Sequence, residues 1–376
     1  LISDKVWFWG GRRRPFIIIG GVLAALMLVA LPNIDKISSF MGLTSIIVVA
    51  TIVALTLDLA INVSFNPTRS VIADVTPEGD QRTKGYTWMQ TISGFFGVMA
   101  YFMGVMFGNY VLIYAGAVIV LLFSIVPLFF ITESKDLTVA SDDTEKNNQD
   151  TGKGKTETTE LLKIYLAHGF SWMGVQTMFV YIIAFIQQKF YPGFDFSNAA
   201  DAVNKATEAV QKSVGDNISY TFMILNIVGF IVPAFVLEPI SEKLGRVKTH
   251  VLALGMMAAG YLGIAFFATS PAVLYILIAV CGIGWGAVVS LPFAIMSEKV
   301  AKGKMGLFMG IFNLSVVLPQ LAVSLFVGTI VLNMADKNII FIISGVSLAI
   351  SALLWLIVHE SKKSGSKSAM PSGGGH

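Results

Sequence analysis

The sequence predicts an all-α membrane protein, because its charge content is low and its apolar residues form long continuous blocks. Of its 376 residues, 55% are hydrophobic and only 13% are charged, whereas soluble domains average about 25% charged residues. A helix needs about 20 apolar residues to cross the hydrocarbon core of a bilayer. Blocks this continuous do not fit the alternating strands of a β-barrel, and a helix satisfies its own backbone hydrogen bonds in lipid.

Ten blocks are long enough to be predicted as transmembrane helices. In chain order they cover residues 15–31, 40–66, 86–108, 110–131, 161–186, 217–237, 247–268, 271–296, 305–332 and 338–358. The polar segment 132–160 is predicted to be a flexible linker between a first helical domain, 1–131, and a second, 161–358, with 359–376 as a tail.

The basic residues are distributed unequally between the two faces that these ten helices define. Loops on the face that carries Arg12, Arg13 and Arg14, with their flanking residues, hold 21 of the 26 lysines and arginines. Cytoplasmic loops of membrane proteins carry such an excess of positive charge. We therefore predict that this face, the linker and the C-terminal tail are cytoplasmic.

Two similar stretches of sequence predict an internal repeat. The chain begins with "LISDKVWFWGGRRR", and residues 238–248 read "EPISEKLGRVK". Each stretch lies on the basic face and is followed by four apolar blocks of its domain. The second stretch is also preceded by two blocks, 161–186 and 217–237, which have no counterparts before the first stretch. We expect two six-helix bundles related by a parallel repeat, with the first two helices absent from this sequence.

Three motifs resemble those of the major facilitator superfamily and, within it, the sucrose/proton symporter-like family of glycoside–pentoside–hexuronide:cation symporters. They are "SDKVWFWGGRRRPFI" at 3–17, "LDLAINVSFNPTRSVIADV" at 57–75 and "GLFMGIFNLSVVLPQ" at 306–320. Plant members carry an acidic stretch where this chain has "IQQKFYPG". The resemblance implies the superfamily's fold of two six-helix bundles and favours a bacterial member in the inner (plasma) membrane.

Asp58 is the candidate proton-coupling residue. It lies inside the block 40–66, eight residues or about 12 Å from Asn66. An acid at this depth is costly and usually lines a water-filled cavity. Asp58, Asn62, Asn66 and Arg69 share one helix face. A carboxylate there can bind a proton and a sugar hydroxyl together, the role that the resemblance also implies, whereas a purely structural acid is the alternative.

Other polar and aromatic side chains inside the blocks are candidates for sugar binding. Asn313 and Gln320 lie seven residues apart on one helix face, and their amides suit a polyhydroxyl ligand. The alternative for both is a contact between helices. The remaining candidates, for which ordinary packing or an internal hydrogen bond is the alternative, are Asn62, Trp285 and Gln176. His168 is expected to serve packing, with a proton relay as the alternative.

Charged residues on the basic face are candidates for a gate that closes the transport path. They are Asp4, Arg12, Arg13, Arg69, Asp74, Glu238, Glu242 and Arg246. The resemblance implies that Asp4, Arg12 and Arg13 pair with the opposite bundle when this face is shut. We expect Arg69 to pair with Asp74 or to balance Asp58, unless it is a simple membrane anchor. We expect Glu238 to pair with Arg12 or Arg13.

The expected function is proton-coupled symport of a disaccharide such as sucrose or maltose. The alternatives are a sodium-coupled or uncoupled glycoside carrier and, less favoured, a sugar sensor that does not transport. No P-loop, zinc-ligand spacing or nucleophile elbow occurs in the sequence, so neither an enzyme nor a cofactor besides the coupling ion is expected. The expected partners are a sugar and the lipid bilayer. No nucleic acid and no obligatory protein partner are expected.

Overall fold

The computed structural model describes residues 6–42, 45–130, 133, 156–194, 196, 205–301 and 304–360, and no β-strand occurs among them. Ten long helical segments, numbered α1 to α10, follow one another along these residues. They are α1 (Arg14–Phe40), α2 (Ile46–Val75), α3 (Asp80–Phe107), α4 (Asn109–Ile125), α5 (Thr158–Phe190), α6 (Lys205–Val232, continuing to Leu244), α7 (Arg246–Phe267), α8 (Pro271–Ser297), α9 (Met305–Asn333) and α10 (Ile339–Trp355).

The predicted all-α membrane fold is confirmed, since each predicted block overlaps one of these helices. Within the described part of the chain, seven helices, all except α3, α4 and α10, are long and apolar enough to cross a membrane, and α4 and α10 provide shorter apolar helices. The helix α3 is long enough but more polar, with Thr83, Thr87 and Thr91 buried along it. It also packs against α6 of the second half of the chain.

The described helices form two bundles. In the first, α1 packs along α2 and α4. The approach of α1 to α2 requires a glycine, because a Cβ on Gly20 would lie 2.7 Å from the carbonyl oxygen of Ala60. In the second bundle, α5 packs along α9 and α10, and α7 packs between α8 and α10. Most of the fully buried side chains belong to this second bundle.

The bundles meet where α3 contacts α6 and where α2 contacts α9. Gly94 of α3 lies directly against Phe230 of α6, with no room for a Cβ between them. Towards the basic face, the rings of Trp88 and Phe235 meet edge to face with centroids 5.7 Å apart. These contacts hold the two bundles together on the half of the molecule nearer the arginines.

Two of the helices of the second bundle that contact the first, α6 and α9, are irregular. The helix α6 contains a π-helical turn at Pro233–Leu237, and α9 contains one at Val323–Val327. In α9 this turn follows Pro319, which removes one backbone hydrogen bond. Such turns are rare and concentrate at functional sites.

Helix boundaries differ from the prediction in several places. The helix α1 continues nine residues beyond the block 15–31, to Phe40, and two further differences place polar sequence in helices. The helix α2 continues nine residues beyond the predicted block, through Pro67 to Val75, and α6 begins at Lys205, twelve residues before the block 217–237. The extensions of α2 and α6 both contain polar residues. A helix can continue through polar residues outside the hydrocarbon core, whereas the predicted blocks were defined by apolar residues alone. Residues 134–155 of the predicted linker, 361–376 of the tail, and Asp4 lie outside the described residues.

Candidate functional site

A chain of hydrogen bonds connects the two bundles beside Asp58. The Nδ2 of Asn313, on α9, donates to the Oδ1 of Asn62, on α2, at 3.2 Å. The Nδ2 of Asn62 donates to the backbone oxygen of Asp58 at 3.0 Å and lies 3.4 Å from its Oδ2. The Asp58 side chain is exposed. The structure therefore brings three predicted site residues together at the seam between the bundles.

A second amide pair lies further along α9. The Nε2 of Gln320 donates to the Oε1 of Gln176, on α5, at 3.4 Å. Gln320 follows Asn313 by seven residues, so the two amides are about 10.5 Å apart along the helix axis. Both side chains are partly buried. We call Asn62 with Asn313 the lower amide pair, and Gln176 with Gln320 the upper amide pair.

Aromatic side chains of α5 and α8 form a wall close to the upper amide pair. The rings of Trp172 and Trp285 meet edge to face with centroids 6.0 Å apart. Phe179 packs on Trp285 with centroids 5.2 Å apart. Trp172 precedes Gln176 by one helical turn, so both project from the same face of α5. An indole face beside an amide pair can stack on a sugar ring while the amides bond its hydroxyls.

Arg69 has different neighbours from those predicted. Its guanidinium lies between the rings of Phe65 and Phe293, 3.9 and 4.1 Å from their centroids. The predicted pair with Asp74 is wrong, because Asp74 lies five residues further on and points about 140° away around the helix. Since Phe293 belongs to α8, Arg69 instead makes a cation–π contact across the bundle interface.

Arg12 and Arg13 pair within their own bundle. Asp74 accepts hydrogen bonds from Arg12 Nη2 at 2.8 Å and from Arg13 Nε at 3.2 Å. The expected pair of Glu238 with Arg12 or Arg13 is therefore wrong, since Glu238 lies 3.8 Å from Lys84 instead. The expected latch to the second bundle includes Asp4, which lies outside the described residues, and stays a prediction. The physical reason is that α3, rather than the arginine loop, faces α6 on this side.

Two carboxylates that were not predicted hold the two repeated loops. Glu133 accepts the backbone N–H groups of Arg12, Arg13 and Arg14, each at 2.8 Å. Glu360 likewise accepts the N–H of Arg246 at 2.7 Å. A signal for both was present in the sequence, since "ESK" follows the last helix of each bundle, at 133–135 and at 360–362.

On the basic face, Glu298 connects the bundles. Its Oε1 accepts the backbone N–H of Gly79 at 2.6 Å, and the same oxygen pairs with Nη1 of Arg246. Nearby, Nη1 of Arg82 donates to the carbonyl oxygen of Ser297 at 3.2 Å. Three of the predicted gate residues lie in the described contacts at or beside the bundle interface: Arg246 with Glu298, Glu238 with Lys84, and Arg69 with Phe293. Glu242 is exposed near them.

Replacing Glu133 with Gln should destabilise the protein by about 1–2 kcal/mol, because three backbone donors lose a charged acceptor. The apparent thermal midpoint in detergent, at a fixed scan rate, measures the effect. Glu78→Gln is the matched control, since the Glu78 side chain is 57% exposed and lies 4.0 Å from Arg82. Equal midpoints for the two variants would contradict the role given to Glu133.

Comparisons with known proteins identify relatives across the whole chain. The model of the Major Facilitator Superfamily matches residues 1–322 and, in a second match, 218–374. The sucrose transport protein SUC4 of Arabidopsis thaliana is 22% identical over 377 aligned residues, which cover 86% of this chain and 71% of that protein. The general alpha-glucoside permease of Schizosaccharomyces pombe is 32% identical over 110 residues, covering 28% of this chain and 20% of the permease.

Solved structures show the same fold at low sequence identity. The proton:xylose symporter XylE, bound to 6-bromo-6-deoxy-D-glucose, aligns with a TM-score of 0.67 at 15% identity, covering 93% of this chain and 81% of the symporter. The fucose:proton symporter FucP of E. coli aligns with a TM-score of 0.67 at 11% identity, covering 96% and 86%. These likenesses support the arrangement of helices described above.

Proposed function

Because the chain belongs to the Major Facilitator Superfamily, we propose that it is a secondary active transporter that carries a sugar by proton symport. The observation that carries this proposal is the hydrogen-bond chain from Asp58 through Asn62 to Asn313, which joins an ionisable carboxylate to both bundles. A transporter built from two bundles binds its substrate at their interface and alternates access around it.

The substrate that the site supports best is a disaccharide such as sucrose or maltose. The two amide pairs are separated by about 10.5 Å along α9, a distance that suits a ligand of two rings. The aromatic wall beside the upper amide pair offers an apolar surface to one ring. The printed names of the relatives, which include a sucrose transport protein and an alpha-glucoside permease, favour the same substrate class.

In this proposal, sugar and proton meet at the lower amide pair. A sugar hydroxyl that bonds Asp58 competes with Asn62 for the carboxylate, so binding of sugar loosens the bond chain to Asn313. Meanwhile Glu298 and Glu238 keep the basic face shut through Gly79 and Lys84. Rocking of the bundles breaks these contacts, which need differ between the two states by only a few kcal/mol.

We also propose that the basic face is cytoplasmic and that the protein lies in the plasma membrane. The described part of that face carries Arg12, Arg13, Arg82 and Arg246, all buried against backbone or carboxylate oxygens. An excess of positive charge on the inner side sets the orientation of helical membrane proteins.

Uptake into proteoliposomes tests the proposed function. We expect the purified protein to accumulate radiolabelled sucrose or maltose when the outside is acidic, in sodium-free buffer, and to lose accumulation when a protonophore is added. Accumulation that requires sodium and ignores pH would instead establish a sodium-coupled carrier. No uptake of sucrose, maltose or xylose under either gradient would contradict sugar transport.

Asn313→Ala should raise the KM for sugar about threefold to tenfold, the effect of losing one neutral hydrogen bond. The matched control is Asn333→Ala on the same helix, because the Asn333 amide is exposed and donates only to the Thr329 carbonyl among the described hydrogen bonds. Initial uptake rates over a range of sugar concentrations measure both. A wild-type KM in Asn313→Ala would remove the lower amide pair from the binding site.

A further inference from the structure

His168 is a fully buried histidine of α5 that the proposed transport cycle does not use. Its Nε2 accepts the indole N–H of Trp172 at 2.9 Å. A ring nitrogen that accepts a hydrogen bond carries no proton, so the neutral imidazole has its proton on Nδ1. The histidine therefore acts as a hydrogen-bond acceptor for an aromatic side chain of the candidate sugar site.

The ring of His168 is fixed by the helices that line this site. It stacks on Phe312 of α9, with centroids 4.6 Å apart and planes 15° apart. The ring of Phe293, on α8, meets it edge to face at 6.4 Å. Phe312 immediately precedes Asn313, so the helix that contributes Asn313 to the lower amide pair also sets the orientation of the imidazole.

We propose that His168 is a positioning residue that holds the Trp172 indole against Trp285 as one wall of the sugar site. This inference rests on the proposed function. An indole N–H in a poorly hydrated site needs an acceptor, and His168 supplies one from a ring that packing prevents from rotating. Trp172 is partly exposed and borders the upper amide pair, whereas His168 is sealed from the sugar. Its effect on binding is thus transmitted through the tryptophan.

His250 provides a matched control in the same bundle. It is also fully buried, and its ring meets Trp355 edge to face with centroids 4.6 Å apart. Neither of its ring nitrogens has a hydrogen-bond partner among the described residues. Removing this histidine therefore disturbs core packing and an aromatic contact without removing an acceptor from a tryptophan of the site.

The test compares His168→Leu, His168→Gln and His250→Leu in sucrose uptake. We expect His168→Leu to raise the KM for sucrose about threefold to tenfold with little change in kcat, the effect of losing one orienting hydrogen bond. His168→Gln retains an acceptor oxygen and should restore most of the affinity. His250→Leu should keep the wild-type KM. In a Trp172→Phe background, His168→Leu should cause no further rise, because the donor is already gone.

A second measurement follows the indole directly. In protein labelled with 5-fluorotryptophan, the fluorine resonance that disappears in Trp172→Phe should shift in His168→Leu and stay in place in His250→Leu. If the wild-type protein transports sucrose while His168→Leu keeps its KM, or His168→Gln fails to restore it, the inference alone is overturned. If the wild-type protein takes up no sugar, the proposed function fails and the inference falls with it.

Discussion

Replacing Asp58 with Asn should abolish concentrative uptake of sugar while leaving sugar exchange across the membrane in place. The variant keeps a hydrogen-bonding side chain beside Asn62 but has no proton to release. A membrane potential of 100 mV supplies about 2.3 kcal/mol per transported charge, enough for roughly fiftyfold accumulation. Without a coupled proton, the internal sugar concentration should rise only to the external one.

Two assays on the same proteoliposomes separate coupling from binding. Accumulation is measured under an inward proton gradient, and exchange is measured with sugar on both sides and no gradient. Asp35→Asn is the control, since Asp35 is an exposed acid of α1 in the same bundle. Accumulation by Asp58→Asn at the wild-type level would show that the proton is carried elsewhere.

Replacing Arg246 with Met should destabilise the protein by about 3–5 kcal/mol, the usual cost of removing one partner from a buried ion pair. The side chain of Glu298 is only 3% exposed and would keep a buried charge without its cation. Glu360 would lose its contact with Arg246 Nε, at 3.3 Å. The thermal midpoint in detergent, at a fixed scan rate, measures the loss.

A second substitution makes this prediction specific. The double variant Arg246→Met with Glu298→Leu should recover part of the stability, because joint replacement of a buried pair by apolar residues removes both desolvation costs. Lys248→Met is the matched control, since Lys248 is an exposed cation two residues away. If Arg246→Met unfolds at the wild-type temperature, the ion pair contributes nothing to stability.

The fold was predictable because the length of an apolar block is a direct consequence of bilayer thickness. The helix ends were not, since α2 runs on to Val75 and α6 starts at Lys205 in polar sequence, where hydropathy carries no signal. The polar helix α3 was predicted from its apolar part alone, and its role in joining the bundles became visible only from its contacts with α6.

The site was predictable residue by residue but not as an arrangement. An acid inside an apolar block identifies Asp58, and helical spacing connects it to Asn62 within one helix. The bond between Asn62 and Asn313 joins positions 251 residues apart, and one sequence contains no information on how two helices are rotated against each other. The partners of Arg69 and Glu238 were not predictable for the same reason, because several oppositely charged residues lie on one face and charge alone does not choose among them.

The contact of Glu298 with both bundles makes the closure of the basic face easy to reverse. Its partner across the interface is an uncharged backbone N–H, that of Gly79, whereas its cation, Arg246, belongs to its own bundle. When the bundles separate, Glu298 keeps its ion pair with Arg246 and loses the hydrogen bond from the Gly79 N–H. A hydrogen bond to a charged group contributes about 1.5–3 kcal/mol. At the neighbouring crossing, Lys84 is 63% exposed and is readily solvated. The contact between Glu298 and Gly79 can therefore break without separating the carboxylate from its cation.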